Sequence, residues 1–344
     1  MSTTRVLTGI TTTGTPHLGN YVGAIRPAIA ASRRDGVESF FFLADYHALI
    51  KCDDPARIER SRMELAATWL AAGLDPERVT FYRQSDIPEI PELTWLLTCV
   101  TAKGQMNRAH AYKAAADANA AAGEDTDAGV TMGLYCYPIL MAADILMFNA
   151  HQVPVGRDQI QHIEMARDVA QRFNHLFGAA SGREFFVLPE AVIEEQVAVL
   201  PGLDGRKMSK SYNNSLLLAE DRESLAKKMM TMKTDTARVR RNDPGNPDNC
   251  PVFSYYDFFA PDLKAEVNTN CRSAALGCVD CKKQLLQRVD AKLEPFREKR
   301  AELKEKSNLI ADILHAGADK ARTVAHGTMS RVKDSMGMTT EYNL

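Results

Sequence analysis

Arg5-Val-Leu-Thr-Gly-Ile-Thr-Thr-Thr-Gly-Thr-Pro-His-Leu-Gly-Asn-Tyr21 is the stretch that decides the fold. Arg5–Ile10 is a short apolar run that breaks at Gly9 and at the Thr11–Gly14 run, the pattern of a strand entering a turn. Beyond the turn, Leu18, Val22, Ile25 and Ile29 recur at helical spacing, which predicts a helix from Leu18 to Ser32. Working outward, Ser39-Phe-Phe-Phe-Leu-Ala44 is apolar throughout, as a strand buried on both faces is. A helix over Pro55–Gly73 and a strand over Thr80–Gln84 then complete strand–helix–strand–helix–strand. That alternation predicts an α/β fold with a doubly wound parallel sheet of the Rossmann type.

From Glu92 to about Arg183 the pattern turns mainly helical and reads as a helical insertion (92–183). Within it, the alanine-rich, acidic Ala114–Asp127 has few apolar anchors and is expected to be a mobile loop. Phe185–Leu188 reads as a returning strand. After Leu218 the chain is expected to be helical to its end, interrupted only by Asp243–Pro251 with its Pro244, Gly245, Pro247 and Pro251. The expected division is an α/β domain over 1–215 and an all-helical domain over 216–344. The 344 residues leave room for two domains, and 45% apolar with 25% charged residues excludes wholesale disorder. Mean hydropathy is -0.26. The longest apolar runs, Phe40–Ala44 and Ile139–Ala143, fall far short of the roughly 20 residues of a membrane span. Met1–Arg5 leads into the first strand with no small-residue cleavage site, so a cytoplasmic protein without a membrane partner is expected.

The net charge of -2 conceals an asymmetry. Residues 1–205 carry 17 basic and 25 acidic side chains, a net of -8, while 206–241 carry 10 and 4, a net of +6. Phosphate backbones attract such a basic patch, although a solvated helix face has the same composition.

The turn Thr8–Tyr21 has neither the dinucleotide G-x-G-x-x-G spacing nor the Walker spacing. Gly14 and Gly19 allow close backbone approach, the helix N-terminus beyond them suits an anion, and His17 adds a donor. Alone, these residues read first as a structural turn. The weight shifts with Gly205-Arg-Lys-Met-Ser-Lys-Ser211, a loop whose Lys207 and Lys210 can close on a developing pyrophosphate and withdraw once it leaves.

With Pro16-His17-Leu18-Gly19-Asn20 as a variant of the first signature (usually His-Ile-Gly-His) and Lys207–Ser211 as the second, the chain resembles the class I aminoacyl-tRNA synthetases. The resemblance implies ATP bound across the switch point of the sheet, Mg²⁺ on its phosphates, and in-line attack of an amino-acid carboxylate on the α-phosphate. Catalysis is then positioning and charge stabilisation.

Tyr137-Pro-Ile-Leu-Met-Ala-Ala-Asp-Ile145 places Tyr137, Met141, Asp144 and Ile145 on one helix face. A carboxylate on an apolar face needs a donor, and an indole N–H is one; a cap on a neighbouring element is the other reading. Val153-Pro-Val-Gly-Arg-Asp-Gln159 begins a helix whose first turn presents Asp158 and Gln159. Both stretches resemble the tryptophanyl branch of the family, over nearly the whole chain from Thr8 to about Met336. By position, the resemblance assigns Asp144 to the indole N–H, and Tyr137 and Gln159 to the α-ammonium group. It assigns Leu7, His47, Met141, Ile145, Val153 and Val155 to the tryptophan pocket. Thr11, Thr12, Thr13, Gly19, Asn20, Gly156, Asp158, Lys207, Met208, Ser209 and Lys210 fall to ATP, with His17, Lys207 and Lys210 catalytic and Lys113 a weaker phosphate candidate. Thr11 departs from the Gln of many bacterial members, and the loop after Lys113 lacks a second lysine. The implied partners are L-tryptophan, tRNA(Trp) and a second copy of the chain in a homodimer. A tyrosyl-type enzyme, or a synthetase-like RNA-binding protein, is the rival reading.

Seven cysteines remain. Cys52, Cys99 and Cys136 read as small core residues. Cys250, Cys271, Cys278 and Cys281 fall in a C-x20-C-x6-C-x2-C array, which in a cytosolic chain suggests a metal more than disulfides. Four thiolates suit 4Fe–4S or Zn²⁺. The resemblance to a subset of tryptophanyl members with a C-terminal cluster favours 4Fe–4S, in a structural or tRNA-docking role. Lys227, Lys228, Lys233, Arg238, Arg240 and Arg241, with Arg272, Lys282 and Lys283, are expected to face the anticodon arm.

Overall fold

The structure, a computed structural model, describes residues 3–12, 14–179, 182–193 and 200–338, with Lys210 described by its backbone alone. Strand β1 (Thr4–Thr11) leads through a turn into α1 (Leu18–Asn20), which continues through a π-helical turn, Tyr21–Ile25, into α2 (Arg26–Ser32). Next come β2 (Val37–Ala44), α3 (Asp45–Ala48), α4 (Pro55–Ala71) and β3 (Val79–Arg83). Helices α5 (Glu89–Val100), α6 (Lys103–Met106), α7 (His110–Ala122) and α8 (Met132–Met147) precede β4 (Gln152–Pro154), α9 (Ile160–Phe173) and β5 (Glu190–Val192). The chain ends in α10 (Arg222–Thr231), α11 (Tyr256–Phe259), α12 (Lys264–Arg272), α13 (Cys278–Glu305) and α14 (Ser307–Ser335).

The five strands are parallel in the order β3-β2-β1-β4-β5. The chain therefore winds outward from β1 to β3, then crosses to the far side of β1 for β4. The crevice at the carboxyl ends of β1 and β4 is the topological switch point, where open α/β sheets bind ligands. As the uninterrupted apolar run of β2 requires, its side chains supply both faces: Phe41 and Leu43 lie in one core, Phe40 and Phe42 in the other. Helix α4 starts where the Asp54 carboxylate accepts the Arg57 N–H at 3.1 Å and Pro55 occupies the first turn, a preorganised N-terminus.

Helix α14 joins the two cores. Ile310 and Leu314 belong to the first, Ala318, Ala321, Ala325, Met329 and Val332 to the second, and Gly317 lies between them. A Cβ at Gly317 would collide with the backbone of Phe81 in the edge strand β3, so the helix crosses the sheet edge where it has no side chain. The crossing also covers an edge that would otherwise be open to another strand. Among the described residues, no helix is long and apolar enough to cross a membrane.

Four expectations are corrected. Ala114–Asp127 is not a loop as far as Ala122: it forms most of α7, in which no residue is buried, because alanine favours helix without needing an apolar anchor. Gly123, at φ 73°, ends it, and the Asn119 amide donates to the Thr126 and Ala128 carbonyls to fold the segment back. Phe185–Leu188 makes no strand, since the Asn174 side chain accepts the Phe185 and Phe186 N–H groups and donates to the Phe186 carbonyl; β5 forms two residues later. The non-helical break begins at Met232 rather than Asp243, held by Asp235, which accepts from the backbones of Ala237 and Asn246. Cys99 is exposed rather than in the core, and Cys52 and Cys136 are half-buried.

Candidate active site

The carboxyl edge of the sheet delivers the candidate residues in turn. After β1, Thr12 is buried and donates its hydroxyl to the Ala44 carbonyl at 3.3 Å, Thr11 is exposed, and Thr13 lies outside the described residues. His17 and Asn20 form a reciprocal cap on α1: His17 Nδ1 accepts the Asn20 N–H at 3.1 Å and Asn20 Oδ1 accepts the His17 N–H at 3.0 Å. In the neutral ring this leaves the proton on Nε2.

Some 190 residues later in the chain, the second signature returns to the first. Leu18 N–H donates to the Leu216 carbonyl at 2.8 Å, and Leu218 N–H to the Pro16 carbonyl at 3.0 Å. A Cβ at Gly19 would crowd His17 Nδ1 at 3.0 Å, so glycine leaves room for the His17–Asn20 cap, while Met208 of the second signature lies at ordinary contact distance, 3.5 Å, from that Cβ position. Within the loop, buried Asn214 is the hub. Its amide donates to Asp204 at 2.7 Å and to the Lys207 carbonyl at 3.2 Å, and accepts the Ser209 N–H at 2.8 Å. The Asn214 bond and then Arg206 hold the Asp204 carboxyl down at about 2. Lys207 is exposed, Met208 is buried, and the Lys210 side chain lies outside the described residues.

The amino-acid side of the crevice is organised around Asp144 on α8, 1% exposed. Its carboxylate accepts from His47 Nε2 at 2.8 Å and from Gln84 Nε2 at 2.8 and 3.0 Å. Burial pushes its pKa up, and the bonds and charge of His47 and the Gln84 amide pull partly against that. One turn apart on the same face, Tyr137 and Met141 are half-buried, and the rings of Tyr137 and His47 lie 6.4 Å apart at 78°. Leu7, Ile145 and Val153 are buried in the adjoining core, with Val155 packed against it.

Tyr137 Oη lies 2.6 Å from His162 Nε2, and His162 Nδ1 lies 2.9 Å from Gln159 Oε1. The Gln159 amide nitrogen donates to Asp158 at 2.9 Å, which turns its carbonyl toward His162. A carbonyl only accepts, so His162 Nδ1 carries the proton, Nε2 accepts, and the Tyr137 hydroxyl donates. Burial first, then the charge of His110, holds the His162 pKa below its usual value, against the pull of Asp158. Gly156 opens this turn, where a Cβ would lie 2.7 Å from Asp158 Oδ1. Lys113 is exposed on α7.

Sequence reading missed Gln84, Asn214 and the role of His162. Gln84 and His162 act through hydrogen bonds to residues 60 and 25 positions away, and Asn214 through bonds inside its own loop; apolar periodicity carries no signal for either kind.

Cys250, Cys271, Cys278 and Cys281 share one electrostatic neighbourhood. Burial and the neighbouring thiolates raise Cys281, to about 11, against a Tyr256 hydrogen bond. A Cβ at Gly245 would lie 2.6 Å from Cys271 Sγ. Among the described residues no three potential ligands stand ready to hold a metal ion. Several of the nearby cations are already engaged. Lys227 and Lys228 pair with Glu223 and Glu220, Arg272 with Asp248, and Arg238 donates to the Leu276 and Arg241 carbonyls. Lys282 is buried and donates to the Met230 carbonyl, so it is a structural lysine. Lys233, Arg240, Arg241 and Lys283 are exposed.

The family model described as tRNA synthetases class I (W and Y) matches residues 1–294. A tryptophan–tRNA ligase of Pseudomonas aeruginosa is 62% identical over 336 residues, 98% of this chain and 74% of that protein. One of Bordetella parapertussis is 61% identical over 335 residues, 97% of this chain and 73% of that protein. Among solved structures, the Campylobacter jejuni tryptophanyl-tRNA synthetase complexed with ADP and tryptophan superposes with a TM-score of 0.86 at 38% identity, covering 97% of this chain and 99% of that one.

Proposed function

The chain belongs to the class I tRNA synthetases for tryptophan and tyrosine, and from that premise we propose how its residues carry out the ATP-dependent ligation of tryptophan to tRNA. The activity is that of a tryptophan–tRNA ligase. A carboxylate oxygen of L-tryptophan bonds to the α-phosphorus of ATP, the bond to the bridging oxygen breaks, and pyrophosphate leaves. A terminal ribose hydroxyl of tRNA(Trp) then displaces AMP from the acyl carbon.

The observation that carries this reading is that the chain just after the second signature pairs with the turn of the first, Leu18 with Leu216 and Leu218 with Pro16, which brings Met208 beside Gly19 at the switch point of the sheet. Thr11, Thr12, Thr13, Gly19, Asn20, Gly156, Asp158 and Lys207–Lys210 hold ATP. His17, Lys207 and Lys210 meet the charge that builds on the phosphates, where fixed donors are worth most. Mg²⁺, when bound to those phosphates, supplies further charge neutralisation. Asp144 accepts the indole N–H. Tyr137, whose hydroxyl hydrogen is directed to His162, and Gln159 offer oxygens to the α-ammonium group. Leu7, Met141, Ile145, Val153 and Val155 exclude water around the ring.

The C-terminal half of the reading is also a proposal: an anticodon-binding region over 216–344, a homodimer and a cytoplasmic setting. Exposed Lys233, Arg240, Arg241 and Lys283 are its RNA-facing cations. Cys250, Cys271, Cys278 and Cys281 would hold a 4Fe–4S cluster, or Zn²⁺. The donor chemistry supports this, and since no ready-made ligand group stands among the described residues, loading has to rearrange the thiols. Iron, sulfide and zinc assays on anaerobically purified protein decide between the two, and stoichiometric amounts of neither metal remove the proposal.

The adenylate assignment is tested with Lys207→Ala. Tryptophan-dependent ATP–pyrophosphate exchange should fall by about tenfold or more, with tryptophan binding by calorimetry retained. Undiminished exchange takes Lys207 out of the phosphate site.

A further inference from the structure

We propose that Gln84 is a positioning residue for tryptophan selection, its locked side-chain amide setting the Asp144 carboxylate so that one acceptor position is left for the indole N–H. This rests on the assignment of Asp144 to the indole.

Gln84 is fully buried, directly after β3 in a single 3-10 turn, Gln84–Asp86. Its Oε1 accepts the Tyr46 backbone N–H at 3.0 Å, at the start of α3. That bond fixes which end of the amide is which, since the backbone donor needs an oxygen. The amide nitrogen is thereby turned to Asp144, 2.8 Å from Oδ1 and 3.0 Å from Oδ2. A carboxylate offers about four lone-pair positions. Gln84 occupies one on each oxygen and His47 a second on Oδ2, at 2.8 Å, so the remaining one belongs to Oδ1. The clamp ties the ends of β2 and β3 to α8 and keeps the carboxylate from rotating. The titratable groups acting on Asp144 are His47 and Asp45 from α3, and burial and then the charge of Asp144 raise the hydroxyl of Tyr82 on β3.

The test compares tryptophan with β-(benzothiophen-3-yl)alanine, in which sulfur replaces the indole N–H, in ATP–pyrophosphate exchange. Wild type should prefer tryptophan by about tenfold or more in kcat/KM, and Gln84→Met should lose most of that preference through a raised KM for tryptophan, the KM for ATP unchanged. Gln84→Glu keeps the volume and the acceptor for Tyr46 while removing the donor. Two facing carboxylates can share one proton, so its KM for tryptophan should fall as the pH drops from roughly 8 to 6.5, the opposite direction to the rise that protonating His162 causes. A role in folding alone would not produce that slope.

A wild type that fails to discriminate removes the assignment of Asp144 and the inference with it. A wild type that discriminates beside a Gln84→Met variant that discriminates equally overturns the role of Gln84 alone. Should Gln84→Met fail to fold, an unchanged, pH-independent KM in Gln84→Glu overturns it.

Discussion

The hydrogen bonds around His162 make a prediction about acid. With Nδ1–H donating to Gln159 and Nε2 accepting from Tyr137, the ring must be neutral for both residues to present oxygens to an ammonium group. Protonation makes Nε2 a donor, takes an oxygen lone pair of Tyr137, and puts a positive charge beside the substrate's own. The ring's pKa lies below its ordinary value, chiefly through burial, so the site is in its binding form at neutral pH. Below that pKa the neutral fraction drops about tenfold per pH unit, and the KM for tryptophan should rise by the same factor. His162→Gln offers an N–H and a carbonyl without titrating, and its KM should be flat in pH. His162→Phe removes bonds of 2.6 and 2.9 Å. At about 0.5–1.5 kcal/mol each they amount to about 1–3 kcal/mol, a KM raised roughly five- to 150-fold. The assay is the initial rate of ATP–pyrophosphate exchange against tryptophan concentration from about pH 8 to 5.5. Between the folded pKa and the unfolded one, the unfolded chain binds the extra proton, so stability also falls as the pH drops; the rates are therefore read well below the unfolding temperature. A KM that stays flat in wild type, or an acid limb retained in His162→Gln, refutes the reasoning.

Two further predictions concern the fold and the pocket. Asp144→Asn should cut tryptophan activation by about tenfold or more without lowering the unfolding midpoint, because burial already raises the pKa of that carboxyl and its ionised form costs stability at neutral pH; a lower midpoint beside intact activation would reverse the assignment. Gly317→Ala should lower stability by about 1–3 kcal/mol in urea titration, since the new methyl meets the Phe81 backbone at the sheet edge; an unchanged midpoint would mean that α14 does not press on β3.

The parts of the fold that were legible in sequence are those whose apolar pattern is long enough to be unambiguous. β1, β2 and β3 run five to eight residues, with Phe40–Ala44 apolar without a break, and the helix after β1 repeats its apolar positions over three turns, from Leu18 to Ile29. β4 and β5 have three residues each, too few for any period. The strand read at Phe185–Leu188 shows the converse: an apolar run whose backbone bonds to the side chains of Asn174 and Asn149 rather than to a neighbouring strand. In the site, the residues read from local motifs do gather: Gly19 reaches Met208, and His47 reaches Asp144. What the motifs left out is what orients them. Gln84 bonds across the fold, His162 links Tyr137 to Gln159, and Asn214 gathers Asp204, Lys207 and Ser209 within a loop that has no regular structure, so these partners emerge only when the chain is folded.

The central claim is that this crevice makes tryptophanyl adenylate. ATP–pyrophosphate exchange on anaerobically purified protein, with tryptophan and tyrosine run side by side, tests it most directly. The account predicts exchange with tryptophan and none above background with tyrosine. Exchange with tyrosine in place of tryptophan, or silence with both when tRNA is also present, would contradict it.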